Sequence, residues 1–156
     1  MSSRRVPIVA AVAGLSLVAA AAAATPSPSA YRAQLNALCR SYTPALKKAN
    51  ADLVKAEKAK NGPAAGIALG TLLRLDLAQD AKIESAPVPA ALRAQMTPIL
   101  TTLETIDGHA RAAIAKAVSG DGAGMAAELG RIAPLAKTLN KRLDAAGLRD
   151  CGSNQS

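Results

Sequence analysis

Three features of the sequence predict an all-α fold. Four stretches place their larger apolar side chains three or four residues apart, the spacing that lays a stripe along one side of a helix. Short breaks rich in Gly and Pro separate those stretches. The apolar residues are Ala, Leu, Ile, Val and Met, with no Phe or Trp and with Tyr31 and Tyr42 the only aromatic residues. Ala is the strongest helix former, and few segments show the β-branched and aromatic alternation of a sheet. A chain of 156 residues, half of them hydrophobic, makes one domain with a real core. Four helices with short links pack most simply as an antiparallel up-down-up-down four-helix bundle, here expected to be closed by one disulfide.

Residues 1–24 have the pattern of a signal peptide. Arg4 and Arg5 form a positive start, Val6 to Val18 an apolar run, and Ala22-Ala23-Ala24 a small-residue cleavage site. The alternative, an uncleaved anchor, is opposed by the Ala content, Pro7 and Gly14. Residues 25–30 read as a Pro- and Ser-rich spacer, residues 31–151 as the bundle, and residues 152–156 as a disordered tail. Export predicts a secreted or cell-envelope location with no membrane span once the signal is removed. It also changes the chemistry expected of the two cysteines, Cys39 and Cys151, from metal or redox ligands to a disulfide.

The first helix is expected over Tyr31 to Asn61, with Ser29 as a candidate N-cap, Pro44 as a kink or restart, and Gly62 and Pro63 ending it and starting the next. The second runs from about Pro63 to Glu84. Leu73-Arg74-Leu75-Asp76-Leu77 alternates like a strand, but length and flanking Ala favour helix. Its apolar residues spread widely, which predicts the most buried helix, and Gly66 and Gly70 share a face that would permit a close crossing. After Ala86-Pro87-Val88-Pro89 the third helix shows the cleanest stripe, from Leu92 to Ala117, with Pro98 inside it. Asp121 is a candidate N-cap for the fourth, which contains Pro134 and runs from Met125 to Ala146. Gly147 then suits a left-handed cap, with Leu148 folding back on Leu143. In that topology the reversed tail spans the ~13 Å from the start of the first helix to Cys39, so Cys39 and Cys151 are expected to meet.

Asn36-Ala37-Leu38-Cys39 and Gly147-Leu148-Arg149-Asp150-Cys151, behind an Ala-rich signal, resemble the pattern of small exported α-helical proteins of high-GC Gram-positive bacteria. That resemblance implies a disulfide-closed bundle and carries no activity with it.

Little in the chain suggests catalysis or a cofactor. His109 is the only histidine, so a Glu-x-x-His di-metal site and a zinc site both lack ligands. A haem on His109 with Met96 or Met125 would lack aromatic walls. His109 is therefore expected at the solvent edge, in a hydrogen bond. The acidic row Asp76, Asp80 and Glu84 reads as a solvated edge facing basic neighbours, and Asp107 with Arg111 as an ordinary helix pair. Gly120-Asp121-Gly122-Ala123-Gly124 lacks the Lys-Ser/Thr of a phosphate loop. No nucleophile pair is present, so an enzyme is not expected, and nor is a cofactor.

Charge is the remaining signal. The formal net charge is +8, and loss of Arg4 and Arg5 would leave 17 basic against 11 acidic residues. Lys47, Lys48, Lys55, Lys58 and Lys60 crowd one half of the first helix, a candidate contact for anionic cell-wall polymers or lipid headgroups; a solvated face with Asp52 and Glu57 interleaved is the plainer alternative. Nucleic acid is disfavoured, because no stacking platform or readout motif is present. Two functions stand: a non-enzymatic extracytoplasmic interaction or structural module, with an envelope protein or anionic envelope polymer as partner, or a carrier holding a small apolar ligand between helices near the prolines.

Overall fold

The computed structural model describes residues 25–155. The expected signal peptide, 1–24, lies outside them. Four long helices carry the described chain, α1 (Pro28–Lys58), α2 (Gly62–Ser85), α3 (Arg93–Val118) and α4 (Gly122–Ala145). There is no strand among the described residues. The Leu73 to Leu77 alternation is helical, as its Ala-rich surroundings dictate.

Each helix starts where side-chain chemistry satisfies its free amides. Ser27 rather than Ser29 caps α1, accepting the Ala30 amide at 3.2 Å, with Pro28 in the first turn. The helix thus begins inside the stretch 25–30 that its prolines mark as a spacer. Asn61 caps α2 through Ala64 and Asp121 caps α4 through Gly124. The turns before α2 and α4 are built alike. In the first, Lys60 is left-handed (φ 53°) and the Asn61 amide bonds Ala56 O at 2.9 Å. In the second, Gly120 is left-handed (φ 76°) and the Asp121 amide bonds Lys116 O at 2.9 Å. Gly62, expected to end α1, instead opens α2. Pro44, Pro98 and Pro134 lie within α1, α3 and α4, which continue through them without restarting.

α1 packs along α2 and α3 along α4, while α2 and α3 meet over a shorter seam. The core is uneven. A large cluster centres on Tyr31, Leu35, Met96, Ile99, Leu103 and Leu148. A smaller one surrounds Leu73, Ala110 and Ala113. α3 buries more positions than α2, which corrects the expectation from α2's wide apolar spread. The close crossing expected at Gly66 and Gly70 is also absent. A Cβ at Gly66 would meet nothing within 4 Å, and one at Gly70 only the Arg74 side chain at 3.9 Å.

The large cluster ends in a clasp. Gly147 (φ 79°) closes α4, with Leu148 N bonded to Leu143 O at 2.8 Å and Gly147 N to Asp144 O at 3.0 Å, the paired bonds of a Schellman ending. The reversed tail then lies on α1. Cys39 and Cys151 are at disulfide distance, with sulfurs 2.02 Å and Cα atoms 5.0 Å apart. Asn36, one turn before Cys39, reads the tail from both ends of its amide: Nδ2 donates to Gly147 O at 2.9 Å, and Oδ1 accepts from Asp150 N at 3.1 Å. Arg32 Nε donates to Ala146 O at 2.7 Å, and Arg40 pairs with Asp150. The Asn-x-x-Cys spacing thus puts a backbone reader and a covalent anchor on one helix face. Beyond Cys151 the chain makes a 3-10 turn, Ser153–Gln155, with the Ser153 amide on Asp144 Oδ1 at 3.2 Å.

A bridge spanning 112 residues of sequence restricts the unfolded chain by up to ~5 kcal/mol. Reduction is expected to lower the melting temperature while helical circular dichroism remains, because the apolar stripes do not depend on sulfur. Asn36→Ala is expected to cost about 1–3 kcal/mol in the oxidised protein, since it strips two tail groups of their partner. Chemical denaturation checks both. Unchanged stability in each case would mean the tail merely rests on α1.

Candidate functional site

Two parts of the molecule carry concentrated charge. The first is the lysine face of α1. Lys47, Lys48, Lys55, Lys58 and Lys60 are all exposed, while Leu46, Ala49 and Ala56 on the same helix are buried. The apolar stripe turns inward and forces the lysines outward. Among the described residues only Lys48 of the five is in an ion pair, with Asp52 at 2.7 Å. The other four present ammonium groups to solvent without a carboxylate partner there.

The second is inside the bundle. The acidic row on α2 is not the solvated edge its spacing suggested. Glu84 is exposed and Asp76 half-buried, but Asp80 is only 9% exposed and faces another acid, Asp107 of α3, itself 1% exposed. The two carboxyl groups are hydrogen-bonded, which requires a proton between them. Burial, and then the charge of Asp107, push Asp80 up to about 8. The same two causes bring Asp76 to about 6. Asp107 is also raised, by burial, although Arg111 Nη2 lies 2.9 Å from its Oδ2 and stabilises the charged form. The Asp107–Arg111 pair is present as the spacing predicts, but it is the outer end of a buried network.

Both acids could have been found in the sequence. Asp80 lies three residues before Ile83, and Asp107 falls between Leu103 and Ala110, so each sits on its helix's apolar stripe. Gln79, also buried, donates from Nε2 to Cys39 Sγ at 3.3 Å and joins this region to the clasp.

Beside the acids is a cavity of about 180 Å³, walled by aliphatic side chains of α2, α3 and α4, including Ile83, Leu103, Ile132 and Leu139, and on its polar side by Asp76, Asp80 and Asn140. Among the described residues no three His, Cys, Asp or Glu side chains are placed to hold a metal ion. His109 is half-buried, its Nδ1 2.7 Å from Glu128 Oε2, and Arg131 pairs with the other Glu128 oxygen. Met96 is locked in the large core cluster and Met125 borders the small one.

Compared with protein families, curated proteins and solved structures, the chain matches none.

The buried acids set a pH dependence. A carboxyl group whose folded pKa is raised stabilises the fold fully below its unfolded value, near 4, and loses that contribution as pH rises through the folded value. Asp80 at about 8 and Asp76 at about 6 place the loss between pH 4 and 8. Asp121 and Glu128 are lowered, and act in the opposite sense only below the ordinary carboxylate range. The melting temperature is therefore expected to be about 5 °C or more higher at pH 5 than at pH 8. Asp80→Asn keeps a donor for Asp107 and removes the titration, so it is expected to flatten most of that slope. Calorimetry across the range checks this, and a stability that rises from pH 5 to 8 would refute the shared proton.

Proposed function

We propose that the protein is an exported, non-enzymatic helical bundle that acts by surface contact with an anionic component of the cell envelope. The observation carrying this is the lysine-rich end of α1 with Lys60 in the turn after it, five exposed side chains of which one is paired among the described residues. Uncompensated lysines gathered at one end of a helix raise the local potential and attract phosphate- or carboxylate-bearing surfaces. The Arg4-Arg5 start, the apolar run and the Ala22-Ala23-Ala24 site support export, and the cysteine pair at disulfide distance is compatible with an oxidising compartment. No helix among the described residues is long and apolar enough to cross a membrane. In this reading the helices run alternately up and down. The three-residue link between α1 and α2, the equally short link between α3 and α4, and the extensive packing within each pair support that course.

The carrier reading draws on the cavity beside Asp80. At about 180 Å³ it exceeds the ~150 Å³ that accepts benzene, but it falls short of the ~300 Å³ at which pockets for larger ligands begin, and the larger inter-helix spaces, of about 380 and 390 Å³, are open surface grooves. Its polar wall of acids also suits an apolar ligand poorly. The surface reading is therefore preferred.

The intact mass of the protein recovered from medium or envelope is expected to lack residues 1–24; a species that retains Met1 would overturn the export step. On immobilised poly(glycerol phosphate), the protein is expected to bind at low salt. Changing the five lysines to Gln should abolish retention. The same change at five other exposed basic residues, Lys82, Arg93, Lys137, Lys141 and Arg149, should reduce it far less. Equal losses in the two variants would show net charge alone at work, and no lysine face.

A further inference from the structure

The end of the bundle away from the clasp combines exposed apolar groups with cations. Among the described residues the large exposed hydrophobic side chains are Val54, Ile67 and Val118, and the two most exposed, Ile67 at 71% and Val118 at 84%, share this end. They line one open groove of about 390 Å³ between α2, α3 and the start of α4. Ile67 also borders a second groove of about 380 Å³, shared with the end of α1 and lined by Lys55 and by Asp52, whose charge Lys48 pairs. Lys58 and Lys60 flank the turn that leads into that groove, and all three lysines are exposed.

Lys60 adds an independent observation. It occupies the left-handed position that Gly120 holds in the matching turn. A side chain there is strained relative to glycine. The chain thus presents a lysine at this tip in a conformation that glycine adopts more readily.

We infer that this tip docks on an anionic lipid bilayer, with Ile67 and Val118 entering the headgroup–acyl boundary while Lys55, Lys58 and Lys60 meet lipid phosphates. The inference rests on the anionic-surface reading above and selects the lipid. A hydrated polyanion offers cations a partner but leaves Ile67 and Val118 in water. A bilayer offers both charge and hydrocarbon, the combination that interfacial binding needs.

The chain contains no Trp, so Val118→Trp installs a single reporter at an exposed position. With vesicles of phosphatidylglycerol and phosphatidylcholine in equal parts, its emission is expected to shift to the blue and to be quenched by brominated acyl chains. Phosphatidylcholine alone should give neither effect. Ile67→Asp in that background is expected to weaken partitioning at least tenfold. Lys60→Gly should raise the melting temperature and yet weaken vesicle binding by roughly fivefold, a divergence that a purely structural lysine would not produce. Adsorption to anionic vesicles without quenching would overturn tip insertion while leaving the anionic-surface reading intact, as would retention on poly(glycerol phosphate) with no vesicle binding. Binding to neither would sink both. An emission already blue-shifted without vesicles would assign the tip to a second copy or to residues 1–24, and would overturn the lipid assignment.

Discussion

The contact between α1 and the reversed tail is the constraint on which the rest of the structure depends. Four residues of α1, Arg32, Asn36, Cys39 and Arg40, lie at spacings that keep them together on one face, and each engages the segment 146–151 by a different chemistry. The tail can present its backbone there only because Gly147 turns left-handed and Leu148 drops into the core. Leu148 in turn completes the cluster around Tyr31, Leu35 and Met96. Covalent closure, backbone hydrogen bonds and apolar packing therefore coincide at one end of the molecule. The largest fully buried side chains are found in this cluster for that reason.

Away from the clasp the packing weakens in steps. Midway, Asp80 and Asp107 occupy positions that Leu or Ile would normally fill. They are tolerated because a shared proton and Arg111 leave little uncompensated charge. Beyond them the buried positions are mostly alanines, Ala49, Ala56, Ala68, Ala110 and Ala113, with Leu73 among them, and side chains this small leave space between helices. Grooves open there, and Ile67 and Val118 are left in water. Sub-global opening should begin at this end, which has few buried contacts, and the bridged end should open last. The same asymmetry gives the protein a closely packed end and a grooved, cationic one, and the surface function proposed above uses the second.

Much of this was legible in the sequence where a local rule decides the outcome. Helix identity followed from spacing and Ala content. Asp121 as a cap, Gly147 with Leu148 as an ending, and the meeting of Cys39 with Cys151 followed from short-range chemistry and chain reach. The main errors fall on α2. α2 has apolar residues on all sides, so its pattern does not say where Gly66 and Gly70 face, and the acidic spacing of Asp76, Asp80 and Glu84 suggests an exposed edge although Asp80 lies one turn before the buried Ile83. Asp107 pairs with Arg111 as its spacing predicts, and its place on the α3 stripe between Leu103 and Ala110 accounts for its burial.

The sequence by itself determined four helices, the Asp121 cap and the Gly147 ending, the basic balance of the chain and the position of both cysteines along it, because each depends on residues within a turn or two of one another or on composition. Only the tertiary structure decided that Asn36 reads the tail, that two acids from different helices share a proton, and that Ile67 and Val118 emerge beside lysines at one end. Those outcomes depend on the rotation of each helix about its own axis. That rotation is set by how side chains of neighbouring helices fill the space between them, a non-local balance that a weakly amphipathic, Ala-rich sequence does not encode in any single stretch.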